Sequence, residues 1–458
     1  VERSRGLGDV YKRQPLDESK LVDDLSRRLF TSYADDQRFD RYYEGSQRLA
    51  HIGLAVPPEL RKFETVLNWC RTVVDSVSDR MRMKAFYLPG EDRASEALRE
   101  SWDYNNLDSE SIAHHQEMLI LGRGFVSVGA NEEDPEFPLI QVENPRELAV
   151  DIDHRHRRLR AAVRVMPSEN DAPGTPSNAV LYLPDSTMRL KRHQGQWVVE
   201  DRDDHGLGRV PLVMFLNRRR VGQWTGVSEM VDAIPLVDAA ARSLTNLQLA
   251  GETHSVPQKY VLGMSKGDFV DAEGKPIPAW EAYFNAIWAN QNKDAKVGQF
   301  AASDLSNFHN TVDHYASKLA GLYGLPARYV GITSVNPAAE GAIRAEEARL
   351  ILNVEKKAAL AGDGWGWVMG LVERFRTGEW VSGSRIKTDW FDAGTPTYAQ
   401  RADALTKMYN SGQGILSREG VWEELGWSEA RMERERSRFE AEARAGLVAL
   451  EKVVDEGA

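Results

Sequence analysis

Between Leu305 and Ala361 the chain carries two helical stripes separated by residues that forbid one continuous helix. Leu305, Phe308, Val312, Tyr315, Leu319 and Leu322 recur at helical spacing. Gly324 supplies a C-terminal stop, and Pro326 prevents continuation. A short β-branched run, Val330-Gly331-Ile332-Thr333, then leads to Asn336-Pro337. Asn336 suits a helix cap, Pro337 the first helical position and Glu340 the positive end that follows. The next helix is predicted from about Pro337 to Ala361, with the glycine-rich GDGWGWVMG of 362–370 interrupting it before Leu371–Arg376. The loop itself carries no catalytic side chains, so its purpose must lie in its position.

The period of the hydrophobic pattern places everything else. Helical stripes are read over Asp17–Gly45, Phe63–Arg82 and Asp108–Leu121. From Gly124 the period becomes two, and strands are expected over Gly124–Ala130, Leu139–Val142, Glu147–Ile152, Leu159–Met166, Val180–Leu183, Thr187–His193, Trp197–Glu200 and Pro211–Asn217. Asp153–Arg158 reads as a hairpin turn. Val227, Met230, Ile234, Val237, Ala241, Leu244 and Leu247 restore a helical stripe, with Pro235 starting or kinking the main helix. Ser255–Ser303 is an insertion of short strands and turns, and Thr397–Asn410, Ser417–Glu424 and Glu429–Val454 are further helices. The fold class is α+β. Val1–Gln14 fits none of these patterns and has no apolar signal-peptide stretch, so residues 1–16 are set aside as a non-native or disordered leader.

The sequence argues against most chemistries. With 458 residues, 42% hydrophobic and 28% charged, it reads as a globular chain without a run of eighteen apolar residues. One cysteine, Cys70, excludes an intrachain disulfide and reads as a small buried hydrophobe. A net charge of -11 excludes a general basic footprint for nucleic acid. Gly263-Met-Ser265-Lys-Gly267 matches the nucleophile elbow, but a polar, turn-rich stretch follows where a helix is needed. Asp151, Asp153, His154 and His156 crowd one hairpin tip beside Arg155, Arg157 and Arg158, which reads as a solvated turn rather than a metal site. His114-His115 faces two sides of a helix. Gly122-Arg-Gly124 precedes a strand and lacks the third glycine of a dinucleotide fingerprint. No Walker A motif is present, so ATP-driven work belongs to a partner. Arg218–Arg220 reads as a turn or a subunit salt-bridge site, and the pairs Trp365/Trp367 and Trp422/Trp427 as packing. No cofactor or metal is expected, and the chain does not read as an enzyme. Two helices flanking an insertion suggest a stalk that buries its stripe against neighbours in a closed ring.

Several segments, in order, resemble the portal proteins of tailed double-stranded DNA bacteriophages, most nearly the siphophage type of actinobacterial phages. They are Tyr42–Gly45 with Gln47–Leu49, Asn68–Asp75, Leu121–Val128 with Glu143–Pro145, and Gly226–Glu229 with Leu236–Asp238. Gly324–Pro326, Gly331, Asn336-Pro337, Ala342–Glu347 and Tyr398–Gly426 complete the series. The likeness runs from about Asp17 to near the end, and Val1–Gln14 departs from it.

The resemblance implies a homomeric ring, usually a dodecamer, at one capsid vertex of the virion, assembled in the bacterial host cytoplasm. Double-stranded DNA would enter through it, driven by the terminase large subunit, without sequence-specific binding. The head-to-tail adaptor, major capsid and scaffolding proteins would be further partners, with no membrane. By the same resemblance residues 17–225 would be a wing, 226–254 and 304–324 stem helices, and 255–303 a clip. Residues 325–341 would be a tunnel loop, 342–395 a long helix returning to the wing, and 396–458 a crown region. Stem packing would fall to Leu244, Leu247, Phe308, Val312, Tyr315 and Leu319. Docking of terminase and adaptor would fall to Lys266, Asp268, Asp271, Glu273, Lys275 and Trp280. The tunnel loop, Arg328, Tyr329, Val330, Gly331, Ile332, Thr333, Ser334, Val335 and Asn336, would project beside moving DNA. Its small and β-branched residues would offer little for phosphates to hold. Another head-to-tail connector, and a serine hydrolase using Ser265, are the alternatives.

Overall fold

A computed structural model describes residues 18–48, 65–166, 176–254, 259–263, 296–299, 305–332, 340–381, 386–394, 398–410, 413–427 and 429–456. The chain divides into two compact units, Val1–Ala393 and Gly394–Ala458.

The first unit begins with α1 (Glu18–Glu44), α2 (Trp69–Ser78), β1 (Met83–Tyr87), α3 (Glu96–Tyr104) and α4 (Leu107–Leu121). Two antiparallel sheets follow. One has the order β3-β2-β9, with β2 at Arg123–Gly129, β3 at Leu139–Glu143 and β9 at Leu212–Leu216. The other is a five-stranded meander, β4 (Leu148–Asp153), β5 (Arg158–Met166), β6 (Asn178–Tyr182), β7 (Thr187–His193) and β8 (Gln196–Asp203). The meander alternates inward and outward residues, and α1 covers its apolar face. Val22, Leu25 and Leu29 bury against Val163, Leu181, Met188 and Leu190.

α5 (Ile234–His254) and α6 (Ser306–Tyr323) pack side by side, and β10 (Lys259–Leu262) pairs with β11 (Lys296–Gln299). The ends of the 255–303 insertion therefore return to each other. α6 ends at Gly324, whose φ of 69° is the left-handed stop expected from sequence. Pro235 sits in the first turn of α5, where its missing donor costs nothing. α7 (Glu340–Thr377) then runs for 38 residues, and β12 (Lys387–Trp390) pairs with β1. The second unit holds α8 (Tyr398–Tyr409), α9 (Arg418–Glu424) and α10 (Glu429–Glu456). There Trp422 stacks with Trp427 and Phe439, at ring separations of 5.7 and 5.8 Å.

Some expectations need correction. The glycine-rich 362–370 stretch does not interrupt the long helix: α7 is continuous through it. Its glycines serve close approach. A Cβ on Gly362 or Gly364 would come within 3 Å of Thr388 or of the buried Phe215 ring. Removing the side chain lets α7 lie directly on β9 and β12, and Leu350, Val354, Ala361, Trp365, Val368, Met369 and Val372 form the stripe it buries. His114 and His115, adjacent on α4, both point into the fold. Both are buried, and His115 Nε2 accepts from Trp365 Nε1 at 2.9 Å. The expected Phe63–Arg82 helix contracts to α2, and β1, α3 and β12 had no counterpart in the sequence reading.

Two outcomes follow for stability. Gly364→Ala is expected to destabilise by about 1–3 kcal/mol through overpacking, against a helix-propensity gain of about 1 kcal/mol. Gly321→Ala in α6, where a Cβ meets nothing within 4 Å, is expected to stabilise. Denaturant titration of both variants checks the contrast. Burial lowers the pKa of His115 from 6.5 to about 4, and burial and then His115 hold His114 well below its usual range. Below pH 6.5 the unfolded chain therefore binds protons that the folded chain refuses. Stability should fall with acid at about 1.4 kcal/mol per pH unit per histidine. His115→Gln should show a shallower loss between pH 7 and 5 in denaturant midpoints.

Candidate functional site

The loop after α6 is anchored before it becomes a loop. Gly324 turns the chain, Leu325 and Pro326 are buried, and a 3-10 turn at Ala327–Val330 ends at Gly331 with φ 89°. Arg349 of α7 folds over Gly324 and donates to the carbonyls of Gly321 (2.6 Å) and Leu322 (3.2 Å). A guanidinium thus meets the unsatisfied, negative end of α6.

Glu347, one turn before the apolar stripe of α7, gathers the rest. It accepts from Tyr329 Oη at 3.0 Å, pairs with Arg80 at 3.4 Å, and pairs with Arg328. Arg80 also donates to Tyr329 Oη (2.9 Å) and to the Ala393 carbonyl (2.8 Å). The carboxylate side chain is 7% exposed and Arg80 is 14% exposed, so the charges are largely desolvated and need each other. Arg328 bonds Glu346 as well, at 3.1 Å. Val330 is 6% exposed and belongs to the main core. Arg328, Tyr329 and Val330, expected in the tunnel loop, are held against α2 and α7. Gly331 and Ile332 follow them. Thr333, Ser334, Val335 and Asn336 lie outside the described residues.

A second joint fixes the base of the helix pair, where α5 begins and α6 ends. Lys357 of α7 is buried and donates to Glu229 Oε2 and Asn217 Oδ1, both at 2.7 Å. Asn217 Nδ2 donates to Glu229 and to the Val227 carbonyl, both at 2.9 Å. Burial pulls the Lys357 pKa down, and Glu229 beside it pushes it back up. Tyr323, at the end of α6, donates to the Glu229 carbonyl at 2.6 Å, and burial raises its pKa. Tyr42 of α1 donates to Asp238 of α5 at 2.8 Å. The last residue after β9, the approach to α5, the end of α6 and the middle of α7 thus converge on one buried cluster.

Of the expected stem residues, Leu319 is buried, whereas Leu244, Leu247, Phe308, Val312 and Tyr315 are only half-buried. Lys266, Asp268, Asp271, Glu273, Lys275, Trp280 and Ser265 lie outside the described residues. Asp151 is spoken for by Arg160, and Asp153 by His156 at 2.6 Å. No group of three metal-ligating side chains occurs among the described residues. Arg218 pairs with Asp232 at 2.7 Å. Sequence reasoning missed Arg80, Glu347, Lys357, Glu229 and Asn217. A signal existed for two of them: Glu347 and Lys357 share the helical phase of Leu350, Val354, Ala361 and Trp365, and a charge on an apolar stripe must find a partner.

The described residues give a sheet-bearing body and a packed helix pair, α5 and α6, tied to it through Lys357, Glu229 and Asn217. A chain in the neck of an empty gene transfer agent particle shares this fold, with a TM-score of 0.50 and 15% identity over 86% of this chain and 94% of that one.

The family model described as phage portal protein, SPP1 Gp6-like, matches residues 26–446, so the chain belongs to the phage portal protein family. The portal protein of Mycobacterium phage D29 is 37% identical over 426 residues, covering 90% of this chain and 87% of that protein. The portal protein of Mycobacterium phage L5 is 36% identical over the same coverage. No helix among the described residues is long and apolar enough to cross a membrane.

Glu347→Ala would leave Arg80 unpaired in a largely buried setting and is expected to cost about 3–5 kcal/mol. Arg328→Ala, whose side chain is more exposed, should cost at most about 1 kcal/mol. Chemical denaturation of the two variants separates the anchor from its rim.

Proposed function

We propose that this chain is the subunit of a portal ring, a structural component of the virion whose axial channel passes double-stranded DNA at one capsid vertex. The observation that carries the reading is the portal family match over residues 26–446. The geometry supports it. α5 has 21 residues and spans roughly 30 Å, yet its seam with α6 leaves Leu244, Leu247, Phe308, Val312 and Tyr315 half-buried. A helix pair so exposed gains burial when neighbouring copies stand beside it.

In this reading residues 17–225 are the wing, α5 and α6 the stem, and 255–303 the clip, where Lys266, Asp268, Asp271, Glu273, Lys275 and Trp280 meet the terminase large subunit and later the head-to-tail adaptor. Residues 342–395 return to the wing and 396–458 form the crown region. The major capsid and scaffolding proteins surround the ring, which assembles in the host cytoplasm. Residues 331–336 are the part of the tunnel loop free to project, because Arg328, Tyr329 and Val330 are held against α2 and α7. The loop offers DNA glycine, hydroxyl and aliphatic groups rather than cations. Each lysine or arginine on a phosphate would add a salt-dependent hold that resists sliding. The -11 net charge acts in the same direction, keeping a polyanion off the walls.

Electron microscopy with mass determination of the purified protein tests this. Rings with an axial hole are expected, near twelve times 51.5 kDa, or roughly 0.6 MDa. A preparation that stays monomeric at every concentration and with scaffolding protein added would overturn the reading.

A further inference from the structure

Arginines of the sheet-bearing body mostly have carboxylate partners. Arg123 pairs with Asp36, Arg146 with Asp40 and Glu117, Arg160 with Asp151, and Arg164 with Glu143 and Glu147. Four others gather without one. Arg157, Arg158, Arg209 and Arg219 line a groove of about 400 Å³ between the β4–β5 turn, the edge strand β9 and α7. None of the four has a salt bridge among the described residues, and Asp363 is the carboxylate in the groove wall. Two are preset by aromatic faces: Arg209 lies 3.8 Å from the Trp367 ring centre and Arg219 4.2 Å from that of Trp224. Burial, and then Arg158, pull the Arg209 pKa below its usual range. Like charges held together in a chain of net charge -11 are the mark of a site that awaits an anion.

The complementary surface is on the same chain. The turn joining β2 to β3 carries Glu132, Glu133, Asp134 and Glu136, and none of these pairs with a cation among the described residues. The turn is stiff. Asn131 Oδ1 accepts from the backbone N–H groups of Glu133 and Asp134, both at 3.2 Å, and its Nδ2 donates to the Phe137 carbonyl at 2.9 Å. Phe137 stacks on Tyr104 at 4.7 Å. Four carboxylates around an exposed Pro135 thus form a preorganised acidic knob. β3 and β9 lie on opposite sides of β2, so knob and groove are separate surfaces of one sheet.

We propose that in the ring the acidic β2–β3 knob of one subunit seats in the arginine–tryptophan groove of the next copy of this chain. This rests on the ring reading above. A ring closed by rotation uses a heterologous, head-to-tail interface, which needs two different and complementary patches on each subunit. Guanidinium–carboxylate pairs supply direction and register, and the tryptophan faces receive Pro135. Neither patch satisfies its own charges within the subunit, and each has the sign the other lacks.

Opposite charge reversals test it. Glu133→Lys with Glu136→Lys makes a knob variant, and Arg158→Glu with Arg219→Glu makes a groove variant. Circular dichroism and thermal melting confirm that both still fold. Each alone is expected to lose rings by electron microscopy and mass determination, because every interface then sets like against like. An equimolar mixture is expected to regain rings in which the two variants alternate, since each reversed patch then meets its opposite. If the wild type forms rings and both variants do so equally well alone, the inference is overturned, and the groove is left for an acidic partner of another kind. If the variants fail alone and the mixture also fails, the pairing of these two patches is wrong. A wild type that never forms rings overturns the ring reading itself and this inference with it.

Discussion

A lysine buried among apolar side chains must have a counter-charge, and much of this subunit is organised around supplying one. Lys357 sits on the inward stripe of α7, between Val354 and Ala361. Its partners, Glu229 and Asn217, come from the approach to α5 and the end of β9. Breaking such a group leaves an uncompensated charge, which costs about 3–5 kcal/mol, far more than an exposed pair. The sheet, the start of the helix pair and the long helix are therefore tied at one point. Tyr323, bonded to the Glu229 carbonyl, brings in the end of α6. Glu347 repeats the device ten residues earlier, for the loop root. One helix thus indexes the helix pair at its base and the loop at its exit.

This fixes the point at which the chain leaves α6 for the residues that follow. A segment anchored only by its flanking helices would wander. Here the chain enters residues 331–339 from a turn whose tyrosine, arginine and valine are all occupied, and it leaves into the first turns of the helix that holds them. The turn that precedes those residues is itself held by that helix, through Glu347.

Legibility in the sequence followed the range of the interaction. Stripes and stops are local, so α1, α4, the meander strands, Gly324 and Pro235 were readable from period and backbone chemistry. β1 and β12 were not. They are five and four residues long and pair across about three hundred positions of chain, which no local pattern reports. The 362–370 glycines were misread for a related reason. Glycine lowers helix propensity by about 1 kcal/mol, and the sequence shows that cost. It does not show the Phe215 ring and Thr388 that require the missing Cβ. The family segments identified the class of protein, yet the anchors Arg80 and Asn217 carry no motif. They matter because of where the fold brings them.

The charges of the subunit fall into two kinds, and the difference separates folding from assembly. Arg80, Lys357, Arg123 and Arg164 are paired where burial makes pairing obligatory. The groove arginines and the knob carboxylates sit nearer to water, where an unpaired charge is tolerable in the free subunit. A chain that satisfied these charges internally would be a better monomer and a poorer ring member. Leaving complementary patches open shifts that interaction to the neighbour, and with it the specificity of closure. A DNA conduit benefits from that division, because arginines engaged by neighbouring carboxylates are not available to grip the phosphates moving past them.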